Sequence, residues 1–221
     1  MTKSQIFVVD DHALVRLGMR QLLNGEPDLH VCGEAEDLRG ALEKLEDTPT
    51  DLVLLDLSLR SGDGLDALKQ LRALRPEQRI LVLTTHDEKV YGERVIRAGA
   101  AGYVMKATPA EEVLNAIRTA LRGELAVSPA LAASLLNTVV LGQRPGSQSP
   151  LDSLSDRELE IFKLIGQGQN TRDIANSLGI SAKTVETHQF NLRTKLGIAS
   201  THQLRHLAFT WRDRDSGEPT P

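Results

Sequence analysis

The sequence predicts two parts: a doubly wound α/β domain on a five-stranded parallel sheet, then a small all-α domain. Three observations carry that expectation. Apolar runs of strand length alternate with helical patterns five times before about residue 122. One of those runs, Leu52-Val53-Leu54-Leu55, is apolar without interruption, as a strand buried on both faces should be. Beyond residue 150 the strand signals stop, and capped helical segments follow one another with short turns.

The 221 residues suffice for two modest domains, and 40% hydrophobic with 25% charged residues is an ordinary globular balance. Aromatics make up only 3%, so Leu, Val, Ile and Ala must build the cores. The single cysteine, Cys32, excludes an intrachain disulfide and fits a reducing compartment. Residues Met1 to Ile6 lack the apolar stretch of a secretion signal, and no run approaches membrane-spanning length. A cytoplasmic protein without a membrane partner is expected. The net charge of -4 is unevenly spread. Residues 1–123 carry 16 Lys+Arg against 20 Asp+Glu, whereas residues 152–211 carry 7 against 6. That asymmetry points towards nucleic acid for the back half.

The strand runs are Ile6-Phe7-Val8-Val9, His30-Val31-Cys32-Gly33, Leu52 to Leu55, Ile80-Leu81-Val82-Leu83 and Gly102-Tyr103-Val104-Met105. Between them, helical spacing appears in Leu14/Leu17/Gly18/Leu22, Leu38/Ala41/Leu42/Leu45 and Leu65/Leu68/Leu71/Leu74. It continues in Val90/Arg94/Val95/Ala98 and Val113/Ala116/Ile117/Ala120.

The residues closing the strands are more telling than the strands. Strand one ends in Asp10-Asp11, strand three in Asp56, strand four in Thr84 and strand five in Lys106. In a parallel sheet these ends share one edge, where open α/β sheets place their chemistry. Singly each has a bland role: Asp11 caps a helix, Thr84 is a strand residue, Lys106 is a solvated end. Together they converge. Three clustered carboxylates stay ionised only with a cation between them, and oxygen-only ligands suit Mg²⁺. A lysine and a threonine hydroxyl add what a phosphoryl group needs. The set suits placing a phosphoryl group on a carboxylate.

Asp10-Asp11, Asp56, Thr84 and Gly102-Tyr103-Val104-Met105-Lys106 resemble the receiver domain of two-component response regulators, over residues 4–122. The resemblance implies a flavodoxin-like fold and phosphorylation of Asp56 by a sensor histidine kinase. It implies Mg²⁺ held by Asp11, Asp56 and the Ser58 carbonyl, with Asp10 assisting. Lys106 would contact the phosphoryl group, while Thr84 and Tyr103 form a switch in which Tyr103 moves inward. His12 and His86 read as loop residues rather than metal ligands. The rival reading is a haloacid-dehalogenase-like phosphohydrolase with Asp56 as nucleophile. Such enzymes need a second Asp two residues on, where this chain has Ser58.

The expected domains are the receiver at 1–123, a linker at 124–150, a DNA-binding domain at 151–212 and a disordered tail at 213–221. Within the linker, Ser128-Pro129 opens a short amphipathic helix over 130–141, and residues 142–150 form a flexible tether.

In the back half, Ser155-Asp156-Arg157-Glu158 is a capping box, with Leu159, Phe162 and Ile165 as the buried stripe of its helix. Thr171 is the expected cap of the next helix, which turns inward Ile174, Ala175 and Leu178. Gly179-Ile180-Ser181 is a tight turn, and a third helix runs to Leu196 and Gly197, making a helix-turn-helix. Its buried side carries Val185, Leu192 and Leu196; the other carries Lys183, Glu186, Thr187, Phe190, Asn191 and Thr194. A Phe among polar groups suits a helix in the major groove, where it meets thymine methyls and Glu accepts from cytosine. A last capping box, Ser200 to Gln203, opens a helix with the stripe Leu204, Leu207, Ala208 and Trp211.

Leu154 to Glu158, Lys183 to His188, and Asn191 with Lys195-Leu196-Gly197 are similar to LuxR-type helix-turn-helix domains. With the receiver, the whole chain resembles NarL/FixJ-type response regulators. The resemblance implies a transcription regulator, not an enzyme, that binds double-stranded promoter DNA as a homodimer when phosphorylated, with RNA polymerase as a further partner. Lys183, Thr184, Asn191 and Lys195 would hold phosphates; Glu186, Thr187 and Phe190 would face bases. Gln189 and Phe190 replace frequent basic residues of the family, and Thr201 replaces an Arg, which lowers phosphate attraction. A regulator that acts through protein contacts alone remains the third reading.

Overall fold

The structure, a computed structural model, describes residues 2–59, 64–141 and 150–215. It divides into two compact units, Met1–Leu136 and Asn137–Pro221. The loop expected at 57–64, the tether expected at 142–150 and the tail expected at 213–221 each fall partly outside the described residues.

The first unit alternates β1 (Ser4–Val9), α1 (Ala13–Asn24), β2 (Leu29–Ala35), α2 (Leu38–Leu45), β3 (Leu52–Leu55), α3 (Gly64–Leu74), β4 (Arg79–Thr84), α4 (Glu88–Arg97), β5 (Gly102–Met105) and α5 (Ala110–Leu121). The strands form one sheet in the order β2-β1-β3-β4-β5, every pairing parallel. The chain runs outward from β1 to β2, then crosses back to β3, which makes the β1/β3 ends the switch point of the sheet. Ile6, Val8, Leu52, Leu54, Leu81, Leu83 and Val104 point to one face and pack with Leu23, Val113, Ile117 and Ala120 of α1 and α5. The alternate residues Phe7, Val9, Val53, Leu55, Ile80 and Val82 are as fully buried, on the other face.

The expected stripe of α1 is corrected by the structure. Leu14 is 82% exposed and Leu17 is also exposed, whereas Leu23 is buried with Met19 and Leu22 packed beside it. The helix docks on the sheet through the next face round, and the Leu14/Leu17 spacing lies on its outer surface. The α3 stripe holds through Leu71 and then emerges, with Leu74 exposed.

After α5 the chain returns along the sheet edge: Ala126 bridges Gly102 in parallel fashion, and α6 (Pro129–Leu141) follows. Ser128 caps α6 as expected, its Oγ accepting from the Leu131 N–H. Residues 124–136, expected in the linker, group with the first unit.

The second unit opens with a 3-10 turn (Pro150–Ser153), followed by α7 (Asp156–Gly166), α8 (Thr171–Leu178), α9 (Ala182–Leu196) and α10 (Thr201–Asp215). Ser155 and Glu158 form the expected capping box. The cap of α8 is Asn170, not Thr171: its side chain accepts from the N–H groups of Arg172 and Asp173, and Asp173 returns the bond. Asn is as good a cap as Thr, and it alone leaves an acidic side chain three residues on to close the box. Gly179 ends α8 with φ 63°, the left-handed turn that a side chain would strain. Leu159, Phe162, Ile165, Ile174, Ala175, Val185, Leu192, Leu204 and Ala208 build the core. Helix α10 comes so close to α7 that a Cβ at Gly166 would lie 2.5 Å from the Ala208 carbonyl oxygen. It continues to Asp215, three residues into the stretch expected as tail.

Candidate functional site

The sheet edge assembles the strand-end residues through backbone pairing. The Asp56 N–H donates to the Val9 carbonyl at 2.9 Å, which fixes the end of β3 beside that of β1. The Lys106 N–H donates to the Thr84 carbonyl at 2.7 Å and does the same for β5 beside β4. Lys106 then reaches across: its Nζ lies 2.6 Å from Asp10 Oδ2 and 2.8 Å from Asp56 Oδ2. Burial opposes the charge on Lys106, but the adjoining Asp56 and Asp10 carboxylates outweigh it and raise the pKa above the ordinary lysine value.

Asp56 is 1% exposed, and its second oxygen, Oδ1, has no hydrogen-bond partner among the described residues. One ligand atom each from Asp10, Asp11, His12 and Asp56 lies within 4.8 Å of all the others. His12 enters this group because it caps α1: its N–H donates to Asp10 Oδ1, and its Nδ1 lies 2.7 Å from Asp11 Oδ1. Sequence reading placed it in a loop; adjacency to Asp10-Asp11 was the available signal.

Thr84 is buried, and its Oγ1 accepts from the His86 N–H at 3.3 Å. Tyr103 is buried already, its hydroxyl donating to the His86 carbonyl at 2.7 Å. The His86 ring stacks on Tyr91 of α4, with centroids 4.8 Å apart, and its Nε2 lies 3.2 Å from Ser58 Oγ. His86 thus joins the β3 loop, Thr84, Tyr103 and α4, a role the sequence did not suggest.

On α9, Lys183, Thr184, Glu186, Thr187 and Thr194 are exposed, and Phe190 is 60% exposed. Asn191 is half-buried. The Arg193 guanidinium lies 5.9 Å from the Phe190 ring centroid, so this face carries a cation that sequence projection passed over. Lys195 has a different engagement: its Nζ lies 2.6 Å from the buried Glu158 carboxylate. Burial would raise the Glu158 pKa, but Lys195 and the bonds from Ser155 prevail and lower it. Gln189 Nε2 donates to Thr171 Oγ1 at 3.4 Å, tying α9 to the start of α8.

Comparison with known proteins agrees with both halves. The family model of the response regulator receiver domain matches residues 6–118, and that of bacterial regulatory proteins of the luxR family matches residues 152–208. Oxygen regulatory protein NreC of Staphylococcus aureus (strain MRSA252) is 40% identical over 208 residues, covering 92% of this chain and 96% of that protein. A LuxR-family two-component response regulator from Aurantimonas sp. SI85-9A1 is 34% identical over 63% of this chain and 99% of its own, with a TM-score of 0.57. The RcsB response regulator of Salmonella typhimurium covers 95% of this chain and 98% of its own at a TM-score of 0.75; its 23% identity speaks for the fold. No described helix is long and apolar enough to cross a membrane. The chain belongs to the two-component response regulators, transcription regulators that join a receiver domain to a luxR-family DNA-binding domain.

Proposed function

We propose that Asp56 is the phosphoacceptor through which a sensor histidine kinase switches promoter binding by α9. The observation that carries this is the pairing of Lys106 with Asp10 and Asp56 beside an Asp56 oxygen that has no partner. A buried carboxylate oxygen without a hydrogen bond is costly unless something fills the space before it. The oxygen-rich donor set fits the Mg²⁺ that receiver domains use: Asp10, Asp11, Asp56 and the Ser58 carbonyl would hold it. When bound, it neutralises charge on the phosphoryl oxygens.

Asp56 attacks phosphorus of the kinase phosphohistidine; the new O–P bond forms as the P–N bond breaks, and the imidazole departs. Lys106 exchanges its carboxylate contact for the phosphoryl oxygens. Thr84 donates its hydroxyl to the same group, which turns Oγ1 away from the His86 N–H. Since Tyr103 is already inside, the switch lies in what its hydroxyl holds rather than in an inward swing.

On the DNA side, Glu186, Thr187 and Phe190 face base edges, while Lys183, Thr184 and Asn191 hold phosphates with Arg193 beside them. Lys195 serves first as the partner of Glu158. A domain with 7 basic against 6 acidic residues over 152–211 binds weakly alone, so a homodimer on paired half-sites is the binding species. RNA polymerase is the downstream partner, and the compartment is the cytoplasm.

Acetyl phosphate with Mg²⁺ should label the whole chain, with the label on residue 56 by peptide mapping. Equal labelling of Asp56→Asn would contradict the assignment.

A further inference from the structure

We propose that α10 carries a site for a divalent transition metal, chelated by His202 and His206 on its outward face. Imidazole donors suit Zn²⁺, Cu²⁺ or Ni²⁺, whereas the oxygen donors at the sheet edge suit Mg²⁺. The two sites share no residue, and this one does not rest on the phosphoacceptor reading.

His202 and His206 stand four residues apart within α10. Such a pair lies one above the other on a single helix face, with Cβ atoms about 5–6 Å apart. Helical histidine pairs hold zinc at this spacing. Both residues are exposed, on the side of the helix opposite the fully buried Leu204 and Ala208. Neither imidazole has a hydrogen-bond or ion-pair partner among the described residues, so each keeps a nitrogen lone pair to offer. The rings of His12 and His86 are differently placed, the first against Asp11 and the second against Ser58 and Tyr91.

The helix under the pair is held before any metal arrives. Ser200 and Gln203 close a capping box over its first turn: the Gln203 N–H donates to Ser200 Oγ at 3.2 Å, and the Ser200 N–H donates to Gln203 Oε1 at 3.3 Å. One turn beyond His206, Thr210 Oγ1 donates to the His206 carbonyl at 2.9 Å. Leu204 and Ala208 anchor the stretch in the core, and Trp211 packs on Phe162. A chelate built on a fixed backbone loses little freedom on binding. Arg205 is exposed between the two histidines and opposes a cation, which keeps the affinity modest. Two imidazoles leave coordination positions open, so the metal takes water or a further donor there.

The single tryptophan, Trp211, lies five residues beyond His206 on the same helix, about 8 Å along its axis. Bound Cu²⁺ quenches indole emission at that range, whereas Zn²⁺ does not. With the whole chain in excess Mg²⁺, added Cu²⁺ should quench Trp211 saturably, and Zn²⁺ should restore the emission by competition. His202→Ala and His206→Ala should each weaken the apparent affinity roughly 10-fold or more, since one arm of the chelate is gone. His30→Ala, at an exposed position of the first unit, should leave it unchanged. His206→Leu combined with Leu207→His keeps the composition but turns the second imidazole off the shared face. It should weaken binding as much as His206→Ala. No saturable quenching of the parent would overturn the site, and so would quenching of the two alanine variants and the shifted pair equal to the parent's.

Discussion

Lys106 Nζ bridges Asp56 Oδ2 at 2.8 Å and Asp10 Oδ2 at 2.6 Å, so one ammonium ties the ends of β1, β3 and β5 together. The raised pKa of Lys106 gives the sign of its linkage. Its contribution is fully present below the ordinary lysine value and is lost only as pH rises through the raised one, so neutral solution keeps it. Lys106→Met leaves two adjacent carboxylates without their cation. Calorimetry should show the first unit destabilised by about 1–3 kcal/mol in chelator, with part of the loss recovered in Mg²⁺. Equal melting of variant and parent in chelator would show the bridge to be idle.

Phe190 and Lys183 should separate by salt. Phe190→Ala removes apolar contact and no charge, so sequence preference relaxes while the salt slope of DNA binding barely moves. Lys183→Ala should lower the slope by about one unit and leave preference alone. Intact base preference in Phe190→Ala would show that the reading face is elsewhere.

Glu158 carries an acid-side prediction. Its folded-state pKa is lowered, so its contribution is present above the ordinary value of 4.5 and is lost as pH falls through the lower folded value. The single tryptophan, Trp211, packs on Phe162 with ring centroids 5.7 Å apart and reports this unit. Its denaturation should show stability falling as pH drops below about 5. In Glu158→Gln the capping bond survives, that slope flattens, and about 1 kcal/mol is lost at pH 7. An unchanged slope would remove the Lys195 pair from the account.

Which parts of this were legible follows from sequence distance. Asp10, Asp56, Thr84 and Lys106 could be placed together because a parallel sheet puts every strand end on one edge. The α1 face was legible only in part: of the expected Leu14/Leu17/Gly18/Leu22 stripe Leu22 packs inward, beside Met19 and Leu23, and only the sheet chooses between overlapping helical stripes. Asn170 and Thr171 are both good caps one residue apart. The Glu158–Lys195 pair spans 37 residues and the Ser128–Glu88 bond 40, and no local pattern signals either. His86 was passed over because its role lies in its backbone and ring contacts, which no local pattern signals.

Control of DNA binding through phosphate on Asp56 and pairing of the chain is tested most directly by the promoter-DNA affinity of the whole protein, with sedimentation of the same samples, before and after acetyl phosphate and Mg²⁺. Coupling of this kind is worth ~1–3 kcal/mol, so the parent should gain roughly 5- to 150-fold and sediment as a dimer, while Asp56→Asn does neither. Equal affinity and a monomer in both states of the parent, with the label present on Asp56, would contradict it.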